Sequence, residues 1–237
     1  MAARSLAWGG ALRRDAEVLG VGAGNEPTLF WLTQYVRRVF ATDRYASAGW
    51  EESAMSSMLV DPSGQWPGPW DKRRLVVQHM DARELCYVDD SFDGAFSCSS
   101  IEHFGTHEDV RRACDELCRV VRPGGVIGLS TELRLAGEGD GLPGTLLFSP
   151  QQLSEIVLEG RPWELVEPRQ FRPSPATVAS AWLFEEAAAD VRAHVEEHGE
   201  IHYHELEWRH YPHIVLQHAS YLFTSVHLTL RRSGQTR

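Results

Sequence analysis

A short apolar run, broken by glycines and followed by a proline, constrains this chain more than any other feature. Val18-Leu19-Gly20-Val21-Gly22-Ala23-Gly24-Asn25-Glu26 leads into Pro27. Val18, Leu19 and Val21 suit a strand buried on both faces of a parallel sheet. Gly20, Gly22 and Gly24 then give a turn in which backbone can come close to a ligand, because no side chain blocks it. Pro27 fits the first turn of a helix, where no amide hydrogen is needed. Leu29, Leu32, Val36 and Val39 recur at helical spacing, which predicts a helix covering the sheet. Val39-Phe40-Ala41 starts a second strand, with Asp43 at its carboxyl end. A carboxylate about twenty residues beyond a glycine turn can reach two ribose hydroxyls. The stretch therefore implies a nucleoside-binding βαβ unit.

The rest of the chain bounds the partners of such a unit. Its 237 residues are enough for one α/β domain with a sizeable core. The net charge of −10 argues against a nucleic-acid backbone or an anionic membrane surface as the main partner. Cys86, Cys98, Cys114 and Cys118 lack the paired C-x2-C spacing of a zinc site, so they are expected to be reduced intracellular thiols. No apolar stretch approaches the roughly 20 residues of a membrane span. The first ten residues hold too short an apolar segment for a signal peptide, so a cytoplasmic location is expected.

Taken in order, residues 1–15 are expected to cover one edge of the sheet. Arg44 to Trp70 is irregular and rich in Pro and Gly. Its Trp50, Trp66 and Trp70 would either line a pocket or pin the loop. Strands are predicted at Arg74–Met80, at the run after Ser91-Phe92-Asp93, at Val126–Ser130, at Glu164–Val166 and at Tyr221–Arg231. A helix from His107 to Val121 carries Val110, Ala113, Cys114, Leu117 and Val120 on one face and is stopped by Arg122-Pro123-Gly124-Gly125. Pro150–Leu158 is a second helix, with Ser149 as its N-cap. The stretch from 168 to 213, helical over 176–198, does not alternate with the sheet and reads as an inserted cap. This gives a single domain over 1–237, with a core of about 16–167 and 214–232.

Two nucleotide-binding patterns are absent. In either register the third glycine of Gly-x-Gly-x-x-Gly is replaced, by Pro27 or Asn25, which counts against a nicotinamide-dependent oxidoreductase. The Walker Gly-Lys-Ser/Thr ending is missing too. Five segments in order instead resemble the class I S-adenosylmethionine-dependent methyltransferases. They are Val18 to Gly24, Ala41-Thr42-Asp43, Met80-Asp81-Ala82 with Asp90 to Ser97, Ser99-Ser100-Ile101-Glu102-His103, and Leu117 to Gly125. The resemblance covers 17–131 well and the closing strand loosely.

It implies a Rossmann-like α/β fold: a seven-stranded, mostly parallel sheet with an antiparallel last strand and helices on both faces, to which the inserted helical cap is added. It implies S-adenosyl-L-methionine as cofactor and S-adenosyl-L-homocysteine as product. By position, Gly22, Ala23 and Gly24 would pass under the methionine part. Asp43 would hold the ribose hydroxyls, with Arg44 near the adenine. Asp81 and the amide of Ala82 would read the adenine edge, and Ser99 also falls at the cofactor. Two departures stand out: the family usually has an acidic residue at the position of Gly20, and often glycine at that of Glu26. Glu26 is then a substitute contact for the cofactor's amino group.

A hydroxyl nucleophile needs a base. His103, after the fourth strand, is the first candidate because an imidazole titrates near neutral pH; Glu102 and His107 come second. Seven of eleven histidines lie between His194 and His218, but no Asp/Glu–His spacing supports a metal site, so none is expected. The expected reaction is O-methylation of a small-molecule acceptor, a sugar or other secondary metabolite, by a chain with room to form a homo-oligomer. N- or C-methylation, a cofactor-binding scaffold without activity and an NAD(P)-dependent oxidoreductase are the alternatives.

Overall fold

The computed structural model describes residues 1–45, 54–167, 172–198 and 215–234. They fall into two compact units. One comprises Met1–Thr131, Gln152–Arg169 and His227–Arg237; the other comprises Glu132–Gln151 and Gln170–Val226.

The first unit holds β1 (Glu17–Val21), β2 (Arg38–Asp43), β3 (Leu75–His79), β4 (Phe92–Cys98) and β6 (Trp163–Leu165) whole, with the start of β5 (Val121–Ala136) as far as Thr131 and the end of β7 (Tyr221–Arg232) from His227. The order is β3-β2-β1-β4-β5-β7, with β6 on β7. β1 to β5 pair in parallel. β6 runs antiparallel to β7, with Leu230 opposite Leu165. The mostly parallel Rossmann-like sheet is thus present, but the described residues give it nine strands and not seven, because Trp182–Leu183 and Leu216–His218 extend it beyond β7. The chain leaves β1 toward β2 and β3 on one side and returns with β4 on the other. Such a reversal opens a crevice beyond the carboxyl ends of the strands.

Both faces of this sheet are covered, as its apolar runs require. Leu19, Ala95 and Ile127 lie in register across β1, β4 and β5 on one face. Val18 and Val126 lie on the other, and all five are buried. Helix α1 (Ala2–Trp8) corrects one expectation. It packs on the face of the sheet and not along an edge. Gly94 and Gly128 leave a shallow trough there: a Cβ at Gly94 would stand 2.8 Å from Leu6, and one at Gly128 3.1 Å from Ser5.

Helix α2 (Pro27–Leu32) is also shorter than its spacing implies. Turn hydrogen bonds from Thr33, Gln34 and Tyr35 end it, and the Thr33 hydroxyl donates to the Phe30 carbonyl at 2.6 Å. Val36 and Val39 are fully buried all the same, from a turn and a strand. Trp66 and Trp70 pack on Phe30, with ring centroids 6.4 and 5.2 Å away, so these two pin the loop. Trp50 lies outside the described residues. Helix α3 (His107–Val120) begins at a capping box between Thr106 and Asp109. β5 starts at Val121, five residues before its expected start at Val126. The Arg122-Pro123-Gly124-Gly125 turn shifts its register against β4 between Phe92 and Gly94. The predicted helix at 150–158 divides into Pro150–Leu153 and the wider turns of Ser154–Leu158.

In the second unit, Gly141–Leu142 and Thr145–Leu146 form a hairpin. Trp182–Leu183 pairs in parallel with Leu216–His218, which hairpins onto Tyr221–Phe223. The expected helix over 176–198 is interrupted: Pro175–Ala179 and Phe184–His198 are helical, with Trp182–Leu183 a short strand between them. The remainder of the expected cap, 168–171 and 199–213, lies outside the described residues.

Candidate active site

The crevice holds a pocket of about 330 Å3. That size lies within the range of small-molecule sites, roughly 300–1,000 Å3. Its floor is the turn after β1. Gly22 and Gly24 have φ of 59° and 46°, in the region that glycine enters without strain. Gly22 is also held close to the segment after β4. The Ser100 hydroxyl donates to its carbonyl at 2.6 Å, and a Cβ here would come within 2.6 Å of Ser100. The departure at Gly20 has a packing cause. A side chain there would meet Phe96 at 2.9 Å, Ala23 at 3.0 Å and Leu29 at 3.1 Å, so this core has no room for a carboxylate.

The tip of β2 supplies the second wall. Asp43 Oδ2 accepts from the Gly24 amide at 2.8 Å, and Oδ1 from the Arg44 amide at 2.6 Å. Burial, the largest influence, raises the Asp43 pKa against these two hydrogen bonds. Each oxygen keeps a lone pair for a further donor. Tyr45, 2 % exposed, donates to the Gly24 carbonyl at 2.9 Å. Both ends of the Gly24 residue are therefore held from β2 and its exit.

The tip of β3 brings Met80, Asp81, Ala82 and Arg83 to the pocket. The Asp81 oxygens both accept from Arg83, Oδ1 from Nε at 2.9 Å and Oδ2 from Nη2 at 2.6 Å. This contact is the first cause of the lowered Asp81 pKa. Arg83 also reaches Asp109 at 2.9 Å. A base edge at Asp81 would have to share these oxygens with Arg83, a partner not foreseen from the sequence.

From the β4 side come Cys98, Ser99, Ser100, His103 and Phe104. Ser99 has φ 47° and its amide donates to the Ser130 carbonyl at 3.1 Å. His103 sits in the short helix Ile101–His103. Glu102 points elsewhere and corrects the expectation of a catalytic carboxylate. It is 1 % exposed, is absent from the pocket lining and accepts from the Thr131 hydroxyl at 2.8 Å. His107 begins α3 and does not line the pocket either.

Every other site residue read from the sequence lines this pocket: Gly22, Ala23, Gly24, Asp43, Arg44, Asp81, Ala82 and Ser99. Sequence reasoning missed Tyr45, Cys98 and Arg83. All three carry signals of a kind, since each lies within two residues of a motif position, but Tyr45 meets Gly24, Cys98 meets Glu26 and Arg83 meets Asp109, partners remote in the chain. The described cysteines are unpaired thiols. Among the described residues no group of three or more His, Cys, Asp or Glu could hold a metal ion. No helix among them is long and apolar enough to cross a membrane.

A glycine floor, a carboxylate at the next strand tip and a crevice at the sheet's switch point define a nucleoside-binding α/β protein. Residues 19–129 match the family model of a methyltransferase domain. That stretch, just under half of the chain, is a methyltransferase domain of the kind that uses S-adenosyl-L-methionine. The pocket fits that cofactor: glycine backbone for close approach, carboxylates for hydroxyl or ammonium donors, and sufficient volume. No curated protein matches the chain.

Solved structures share the fold at low identity. A provisionally named sarcosine dimethylglycine methyltransferase from Galdieria sulphuraria is 17% identical, with a TM-score of 0.61 over 98% of this chain and 83% of that one. The cyclase SpnF is 19% identical, with a TM-score of 0.58 over 94% and 76%. Phosphoethanolamine N-methyltransferase 2 from Haemonchus contortus, solved with S-adenosyl-L-methionine, is 17% identical, with a TM-score of 0.56 over 98% of this chain and 53% of its own.

Proposed function

We propose that the enzyme transfers its methyl group to a hydroxyl of a small polar acceptor, a sugar or other secondary metabolite, with His103 as general base. One observation carries this reading: among the described residues, His103 is the one histidine that lines the pocket. S-adenosyl-L-methionine supplies a methyl already activated on a sulfonium. The chain's part is to bind, to align the acceptor oxygen and to exclude water. Gly22, Ala23 and Gly24 form the floor, Asp43 takes the ribose hydroxyls, and Asp81 with the Ala82 amide faces the base, with Arg44 and Ser99 beside them. His103 takes the hydroxyl proton as the oxygen attacks, a step for which an imidazole is suited at neutral pH. The net charge of −10 supports a small acceptor over a nucleic acid.

His103→Ala is expected to lower kcat about 100- to 10,000-fold with cofactor saturated. Its affinity for S-adenosylhomocysteine, measured by calorimetry, should stay within about threefold of the parent. Equal turnover in variant and parent would remove His103 from the mechanism. Methylation of amines alone across a panel of hydroxyl and amine acceptors would overturn the choice of oxygen.

A further inference from the structure

Three carboxylates line the pocket, and they differ in how their charge is met. Asp43 is held by two backbone amides and Asp81 by the Arg83 guanidinium. Among the described residues Glu26 has neither kind of partner. It precedes α2 at the end of the glycine turn, half-buried, and its hydrogen bond is to the Cys98 thiol. Burial first, then the Glu26 charge, pushes that thiol up to about 12, so it is a neutral donor and brings no positive charge.

The consequence shows in the ionisation of Glu26, which is pushed up to about 7. Desolvation is the largest cause. The Cys98 hydrogen bond from β4 opposes it, the Asp43 charge from β2 adds to it, and the Met1 α-amino group of the segment leading into α1 opposes it weakly. The buried Tyr45 hydroxyl, itself raised chiefly by burial, lies within reach of the same charges, and Arg44 and His103 line the same cavity. A buried carboxylate in this condition is stabilised by an arriving cation.

We infer that Glu26 is the counter-charge for the α-ammonium of the cofactor's amino-acid half, and that uptake of the cofactor there releases a proton from Glu26. The inference rests on the pocket being the S-adenosylmethionine site. The balance is simple: the protonated carboxyl gives its proton to solvent, and the carboxylate that remains pairs with an ammonium that keeps its own three. Of the cofactor's parts, the adenosine half has no ammonium and is indifferent to this pair. Affinity for the whole molecule therefore weakens as pH falls below about 7, and affinity for the adenosine half does not.

Calorimetry with two ligands tests this. S-adenosylhomocysteine carries the ammonium; 5′-methylthioadenosine lacks it. Glu26→Gln is expected to weaken S-adenosylhomocysteine at least tenfold near pH 7.5 and to leave methylthioadenosine unchanged. The parent should bind S-adenosylhomocysteine about tenfold more weakly near pH 6 than on its plateau. In buffers of different ionisation enthalpy it should also show proton release, which needs no variant. Equal losses for both ligands, or no proton release, overturn the inference while leaving the cofactor site standing. A parent that binds neither ligand overturns both.

Discussion

At the scale of single residues, the position of Gly24 decides the shape of the pocket floor. Its amide donates to Asp43 and its carbonyl accepts from Tyr45, at 2.8 and 2.9 Å. The glycine turn and Asp43 were legible in the sequence because their relation is one of spacing along about twenty residues. Tyr45 was not, since its role depends on β2 lying beside β1, which returns its hydroxyl to a carbonyl 21 residues back. Tyr45→Phe keeps the ring and removes only the donor, leaving the Gly24 carbonyl short of its partner. We expect a stability loss of about 1 kcal/mol in urea denaturation. S-adenosylhomocysteine affinity should fall roughly three- to tenfold as the floor loosens. An unchanged midpoint together with unchanged affinity would show that the turn holds without this hydrogen bond.

At the scale of elements, type was more legible than length. α3 announced itself by five apolar residues at helical spacing and a Pro-Gly-Gly stop, and it spans His107–Val120. α2 did not, because Val36 and Val39 remain buried whether the helix continues or a turn and strand replace it. An apolar position records burial, and only hydrogen bonding decides which element provides it. The N-terminus of α3 also matters to the site, since Asp109 closes the capping box and pairs with the Arg83 that holds Asp81. Thr106 accepts from the Asp109 amide at 3.2 Å. Thr106→Ala removes that cap and should cost about 1 kcal/mol, while Thr106→Ser should cost only a few tenths. Equal losses in the two variants by chemical denaturation would mean that the threonine methyl, and not its hydroxyl, matters here.

At the scale of the whole molecule, one chain of polar groups joins the pocket to elements far from it in sequence. Glu26 meets Cys98, Cys98 meets Ser130, and the Ser130 hydroxyl hydrogen-bonds His227 Nδ1 at 2.9 Å. His227 Nε2 hydrogen-bonds the Ser5 hydroxyl at 2.7 Å, and Ser5 also meets Thr229 at 2.7 Å. Burial first, then the positive Met1 amino group and Arg4, pushes His227 down to about 4. An unfolded histidine takes up its proton near pH 6.5 and the folded one does not, so His227 stabilises fully above about 6.5 and loses that contribution as pH falls toward 4. Glu26 has the opposite sign. Its folded pKa near 7 exceeds the carboxylate value of 4.5, so its contribution is present below about 4.5 and is lost as pH rises through 7. The two displacements are nearly equal, so between pH 5 and 6.5 they offset one another in the parent, to within the slope of its other groups. Removing one should expose the other. In urea denaturation, Glu26→Gln should gain stability relative to the parent as pH rises through this window, and His227→Gln should lose it. Each change is on the order of 2 kcal/mol across the window. Parallel curves for parent and both variants would mean that neither group changes its proton affinity on folding.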